Sequence, residues 1–200
     1  MTLYDPKVEG MYAHLEERLK ELGFEQSLKA LEFVREAYIG KFRKSGAPAI
    51  IHPLSMACFA LGFKGVTDRI IAIILLHDVC EDCGKELSEL PVDDTIRYGV
   101  ELMTIKEGQD KISYFNGLLD LVEAVVCKGF DRYNNLNDAD GALPEEAIVK
   151  NIYETYRLLL PVLERAMKKY PEFLDTLCSL FITLRNTLKM MADKRDIELK

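Results

Sequence analysis

The chain has 200 residues, 48% hydrophobic and 30% charged, which excludes a disordered chain and is long enough for a full apolar core. Its formal net charge of −7 argues against a general nucleic-acid-binding surface. The longest uninterrupted apolar run, Ile70 to Leu76, is too short to span a bilayer, so neither nucleic acid nor membrane is expected as a partner.

The opening Met-Thr-Leu-Tyr-Asp-Pro lacks the basic flank and apolar stretch of a signal peptide. Five cysteines, an odd number without disulfide-like spacing, point to a reducing compartment, and the expected location is the cytoplasm. Cys80 and Cys83 form a C-x-x-C pair, but a zinc reading wants a second pair and Cys127 stands alone. These thiols are read as local packing.

Nearly every segment has helical period. Met11, Leu15, Leu19 and Leu22 define a first amphipathic helix, Val8 to Leu22, ended by Gly23. Ser27 is the expected N-cap of a second helix to about Ile39, with Gly40 at its end. Lys41 to Ile51 reads as a loop, and Pro53 suits the first turn of a helix to about Phe63. Thr67 then caps a single helix, Asp68 to about Cys83, apolar on all sides at its centre and therefore enclosed by others. Asp93 or Asp94 opens a helix to about Ile105, and Glu107 to Lys111 is a polar loop. A helix from Ser113 to about Cys127 is expected to restart or bend at Gly129 and continue to Asn135. Asn137 to Gly141 is a turn. Two long amphipathic helices follow, about Pro144 to Tyr170 and Pro171 to Met191. The expectation is an all-α fold in a single domain, with a motif core of about 27–136 and a helical extension of about 144–191. Tyr156, Leu159, Leu160, Leu163 and Met167 share one side. An oligomer interface there is possible in principle, but packing on the core is the favoured reading.

Of the three histidines, His14 lies on a charged helix face and is read as solvated. His52 precedes Pro53 at a helix start, and His77 is followed by Asp78 directly after the apolar run. A carboxylate at the end of a buried helix is costly unless paired or bound to metal, and adjacent imidazole and carboxylate suit a divalent ion. Glu81 and Asp82 follow one turn later, four residues after His77 and Asp78, on the faces those residues share with them. With a metal on the first pair, the second is free to handle water. Asp131 and Asn135 are a further i, i+4 pair after another apolar helix. Arg43 and Lys44, with Lys41, concentrate positive charge before His52, as a phosphate-rich substrate beside a metal requires. No Walker A loop or G-x-G-x-x-G is present.

Together these residues resemble the HD-domain metal phosphohydrolases, and more closely the hydrolase half of the RelA/SpoT alarmone enzymes. The family order Arg-x-Ser-Gly-x-Pro-x-x-x-His-Pro is matched by Arg43 to Pro53. His-Asp-x-x-Glu-Asp is matched by His77 to Asp82, and Lys-x-x-Asp-x-x-x-Asn by Lys128 to Asn135. The resemblance implies an all-helical HD bundle with one Mn²⁺, or another divalent metal, held by His52, His77, Asp78 and Asp131. It implies Glu81 and Asp82 as the catalytic water-handling pair, and Arg43, Lys44, Ser45 and Asn135 as nucleotide contacts. The implied reaction removes the 3′-pyrophosphate from guanosine tetra- or pentaphosphate, as in a stand-alone small alarmone hydrolase. Three departures are plain: Ala49 stands where the family carries an aromatic, Leu136-Asn137-Asp138-Ala139 replaces a Met-Arg-Thr type segment, and the stretch between Asp82 and Asp131 is short for the long bifunctional enzymes. A phosphohydrolase for another nucleotide (a nucleoside monophosphate or the NADPH 2′-phosphate) and a non-catalytic nucleotide-binding module are the alternatives left open.

Overall fold

Polar caps and a left-handed glycine set the limits of the first helix. In the computed structural model, which describes residues 5–43, 46–139 and 143–199, α1 spans Pro6–Leu22. The Asp5 carboxylate accepts from the amides of Lys7 and Val8 at 2.9 and 3.0 Å, and Gly23 closes the helix at φ 68°. By internal packing the chain divides into two compact units, residues 1–104 and 105–200. The described residues are all-α; they form no strand, and a single isolated bridge pairs Phe42 with Pro48.

The first unit continues with α2, Glu25–Ala37. It begins before Ser27, which is not its cap. Ser27 is buried in the first turn, where its hydroxyl donates to Asp68 Oδ1 at 2.6 Å. The same carboxylate accepts from the backbone amides of Gln26 and Ser27 at 2.9 and 2.7 Å. An acid from another helix therefore satisfies amides that sequence reading assigned to a local cap. After α3, Ile51–Ala60, comes α4, Asp68–Leu76, capped by Thr67 as expected. Every residue from Ile70 to Leu76 is buried, because α4 packs against α2, α3 and a later helix, α6. The single helix expected from Asp68 to Cys83 is broken: α4 stops at Leu76, and α5, Val79–Cys83, restarts beyond it. A 3-10 turn, Leu87–Glu89, leads to α6, Asp94–Met103, whose cap is Asp93.

In the second unit, Asp110 caps α7, Lys111–Gly117, and a 3-10 turn covers Leu118–Asp120. Leu121 is extended (φ −141°, ψ 120°), and α8 then runs unbroken from Val122 to Asn137. The expected restart at Gly129 is therefore wrong; the break falls at Leu121. Gly129 serves packing instead. A Cβ built on it would sit 2.9 Å from Leu180 Cγ and closer still to Cδ2. Its bare backbone lets α8 approach α11, the helix Leu174–Asp193. The turn expected at Asn137–Gly141 lies partly outside the described residues.

Between them come α9, Glu145–Glu154, and α10, Leu160–Lys169, joined by a π-turn, Thr155–Leu159. Pro161 has no N–H to donate one α-turn back, so the helix widens, and the Leu160 amide bonds to Thr155 O five residues before it. Leu159, Leu160 and Leu163 are buried within the unit, as core packing requires. No helix among the described residues is long and apolar enough to cross a membrane.

Candidate metal centre and active site

The break between α4 and α5 creates the site. His77 Nδ1 lies 2.8 Å from Ile74 O, a carbonyl that can only accept, so Nδ1 carries the proton. That bond occupies the oxygen which the Asp78 amide would take in a continuing helix. Asp78 accordingly leaves helical geometry (φ −104°, ψ 0°). The same tautomer leaves the His77 Nε2 lone pair as a metal donor, the usual arrangement for a ligating imidazole.

Asp78 Oδ2 is 3.1 Å from His77 Nε2 and 3.7 Å from His52 Nε2. The imidazoles are 5.2 Å apart between ring centroids, with 2% of His77 and 7% of His52 exposed. Donor atoms from the three residues all lie within 4.8 Å of one another. Two donors about 2.1 Å from one ion are about 3.0 Å apart at an octahedral angle and about 3.4 Å at a tetrahedral one. The 3.1 Å separation falls within that range, and the 3.7 Å separation lies a few tenths of an ångström beyond it. Two nitrogens and a carboxylate oxygen also fit Mn²⁺, Fe²⁺ or Zn²⁺ chemically. The donor set thus fits a divalent cation once His52 and Asp78 draw together by a few tenths of an ångström.

Glu81 and Asp82 lie on α5, both exposed. The Tyr38 hydroxyl donates to Asp82 Oδ2 at 3.3 Å. Partial burial of the carboxyl, followed by the neighbouring Asp78 charge, raises Asp82 above the usual range, against the pull of Tyr38 and the two histidines. Tyr38 itself, at the end of α2, is 1% exposed, and burial beside Asp82 and Asp78 keeps its phenol protonated and donating. Sequence reading missed Tyr38, because an aromatic at the end of an amphipathic helix carries no signal beyond packing. Cys80 and Cys83 flank the acidic pair, half-buried; burial and Asp82 push the Cys83 thiol up to about 11, as inert packing thiols require.

Arg43 is held in the segment before α3. Its amide donates to Ala47 O at 2.8 Å, and its carbonyl accepts from the Gly46 amide at 2.8 Å. Gly46 takes φ 84°, which lets the chain reverse there. Ala49, in the family's aromatic position, is buried. Lys44 and Ser45 lie outside the described residues.

In the second unit α8 carries Asp131 and Asn135. Asp131 is 5% exposed; it accepts from Lys128 Nζ on Oδ2 at 2.9 Å and from Asn135 Nδ2 on Oδ1 at 2.6 Å. Burial favours a neutral Lys128, but Asp131 and Tyr114 overcome it and hold the ammonium above its ordinary range. The Tyr114 ring lies 5.6 Å from that ammonium. Arg132, also buried, donates to Asn151 Oδ1 at 2.8 Å, and Glu154 joins it to Lys111. The structure thus assembles His52, His77 and Asp78 in the first unit. In the second it pairs Asp131 with Asn135 through the spacing that singled them out.

No protein-family model matches the chain. A guanosine-3′,5′-bis(diphosphate) 3′-pyrophosphohydrolase of Spiroplasma citri is 36% identical over 175 residues, covering 76% of this chain and 22% of that protein. The chain belongs to the RelA/SpoT hydrolase family. A protein of the same name from Borreliella burgdorferi is 29% identical over 167 residues, covering 74% of this chain and 24% of its own length. A probable guanosine-3′,5′-bis(diphosphate) 3′-pyrophosphohydrolase of Synechocystis is 27% identical over 135 residues, covering 59% and 17%. This RelA/SpoT-type chain therefore spans less than a quarter of the length of these relatives.

Proposed function

We propose that the chain is a metal-dependent pyrophosphohydrolase that removes the 3′-pyrophosphate from guanosine tetra- or pentaphosphate. The observation that carries this reading is the convergence of His52, His77 and Asp78 at metal-ligand separations. The relatives' shared name supplies the substrate class. Asp131 is the fourth proposed ligand, on the family resemblance. Mn²⁺ is the proposed ion.

A divalent cation on these donors supplies Lewis-acid polarisation of a phosphoryl oxygen and a water acidified toward neutrality. The protein's own groups do the rest. Glu81 and Asp82 orient the attacking water and accept its proton. Tyr38 anchors Asp82 Oδ2, which fixes the direction of the carboxylate. Water oxygen bonds to the proximal phosphorus, the bond from that phosphorus to the 3′ oxygen breaks, and the 3′ oxygen takes a proton. Arg43 and Lys44 offset the charge that builds on the pyrophosphate, while Ser45 and Asn135 orient the nucleotide.

The test is product analysis after incubation with Mn²⁺ and guanosine tetraphosphate. GDP and inorganic pyrophosphate in equal amounts are expected. Release of orthophosphate, or no turnover of this substrate by metal-loaded protein, would overturn the proposal.

A further inference from the structure

The second unit carries an open groove of about 550 Å³ that the proposed hydrolase chemistry does not use. Tyr156, Arg157, Pro161 and Glu164 line one side and Phe181 and Arg185 the other. Tyr156 and Arg157 belong to the π-turn that Pro161 imposes, so the widened helix forms one wall.

The groove is polarised. A three-residue turn, Pro171–Phe173, separates α10 from α11, and the two helices pack together, so they run antiparallel. Arg157 and Arg185 lie twelve to fourteen residues from that turn, Glu164 and Phe181 only seven or eight. Two guanidinium groups therefore share one end, and a carboxylate and an aromatic ring share the other. Arg157 and Glu164 are seven residues apart, about 10 Å of helix at 1.5 Å per residue. Both arginines and Glu164 are exposed, and Tyr156 and Phe181 are half-buried. Arg157 stacks over the Tyr153 ring at 5.1 Å, and neither arginine is in an ion pair among the described residues. Two cations left without carboxylates are notable in a chain of net charge −7.

We propose that this groove binds a purine nucleoside diphosphate lengthwise. The diphosphate lies between Arg157 and Arg185, which match it as forked donors, and Tyr156 donates its hydroxyl at the same end. The base stacks on Phe181. Glu164 accepts hydrogen bonds from the base edge, which favours guanine, whose N1–H and amino group are adjacent donors, over adenine, which offers the amino group alone. The site is independent of the hydrolase reading.

Isothermal titration of the full chain with GDP, ADP and inorganic pyrophosphate, in EDTA, tests it. GDP should bind most tightly of the three. The double variant Arg157→Glu/Arg185→Glu should weaken that binding component by about tenfold or more, and Glu164→Gln should remove the preference for GDP over ADP. Circular dichroism checks that both variants remain helical. Both should release pyrophosphate from guanosine tetraphosphate at the rate of the unaltered chain, a readout that reports on the hydrolase reading separately. The proposal fails if GDP binding survives the double charge reversal, if ADP or pyrophosphate binds as well as GDP, or if GDP shows no saturable binding at millimolar concentration.

Discussion

Gly129→Ala isolates one close approach between two helices. Gly129 lies in the interior of α8, where alanine alone would gain about 1 kcal/mol of helix propensity. The new Cβ would lie 2.9 Å from Leu180 Cγ, against a normal carbon–carbon contact of about 3.5–4.0 Å. Leu180 is fully buried, so its side chain cannot swing into solvent. Overpacking of this kind costs about 1–3 kcal/mol, and more where the overlap reaches a branch carbon as well as a methyl. The net expectation is a loss of about 1–2 kcal/mol, read as a lower midpoint in urea unfolding at unchanged slope. Leu180→Ala alone should cost about 2–5 kcal/mol through its cavity. In the double variant the alanine at 129 fills part of that space, so the two effects should fall short of additive by at least about 0.5 kcal/mol. A Gly129→Ala protein as stable as the unaltered chain, or strict additivity with Leu180→Ala, would mean that Leu180 does not hold α8 and α11 at this close approach.

Other consequences are equally direct. Asp68→Ala removes the acceptor of two α2 amides and the Ser27 hydroxyl and should destabilise the chain by about 2 kcal/mol, seen as a lower thermal midpoint. Tyr38→Phe keeps the buried ring and deletes only the bond to Asp82; turnover should fall severalfold at unchanged KM, with a stability loss of about 0.5–1.5 kcal/mol. An equal rise in KM would assign Tyr38 to substrate binding instead. Glu81→Ala should keep its metal while losing about 10²–10⁴ in pyrophosphate release, so metal analysis and kinetics on one preparation check both halves.

The all-α fold was legible because periodicity and caps are local: Asp93, Thr67 and Gly23 mark helix ends through bonds within a few residues. Ser27 was misread because its partner, Asp68, is 41 residues away, and no local pattern encodes that pairing. Gly129 was misread as a breaker because its reason is Leu180, on another helix. The His-Asp pair was found from its chemistry, but the helix break that turns it was not. That break depends on His77 taking the Ile74 carbonyl, a side-chain competition invisible to a hydrophobic pattern that runs smoothly to Leu76. Tyr38 became visible only when α2 and α5 were seen together.

Metal content reports directly on the single cation proposed to bind His52, His77 and Asp78. Protein loaded with Mn²⁺, desalted and analysed by inductively coupled plasma mass spectrometry should carry one ion per chain. Asp78→Ala, helical by circular dichroism, should lose both the ion and pyrophosphate release. An Asp78→Ala protein with a full equivalent of metal and undiminished turnover would mean that Asp78 does not hold the ion.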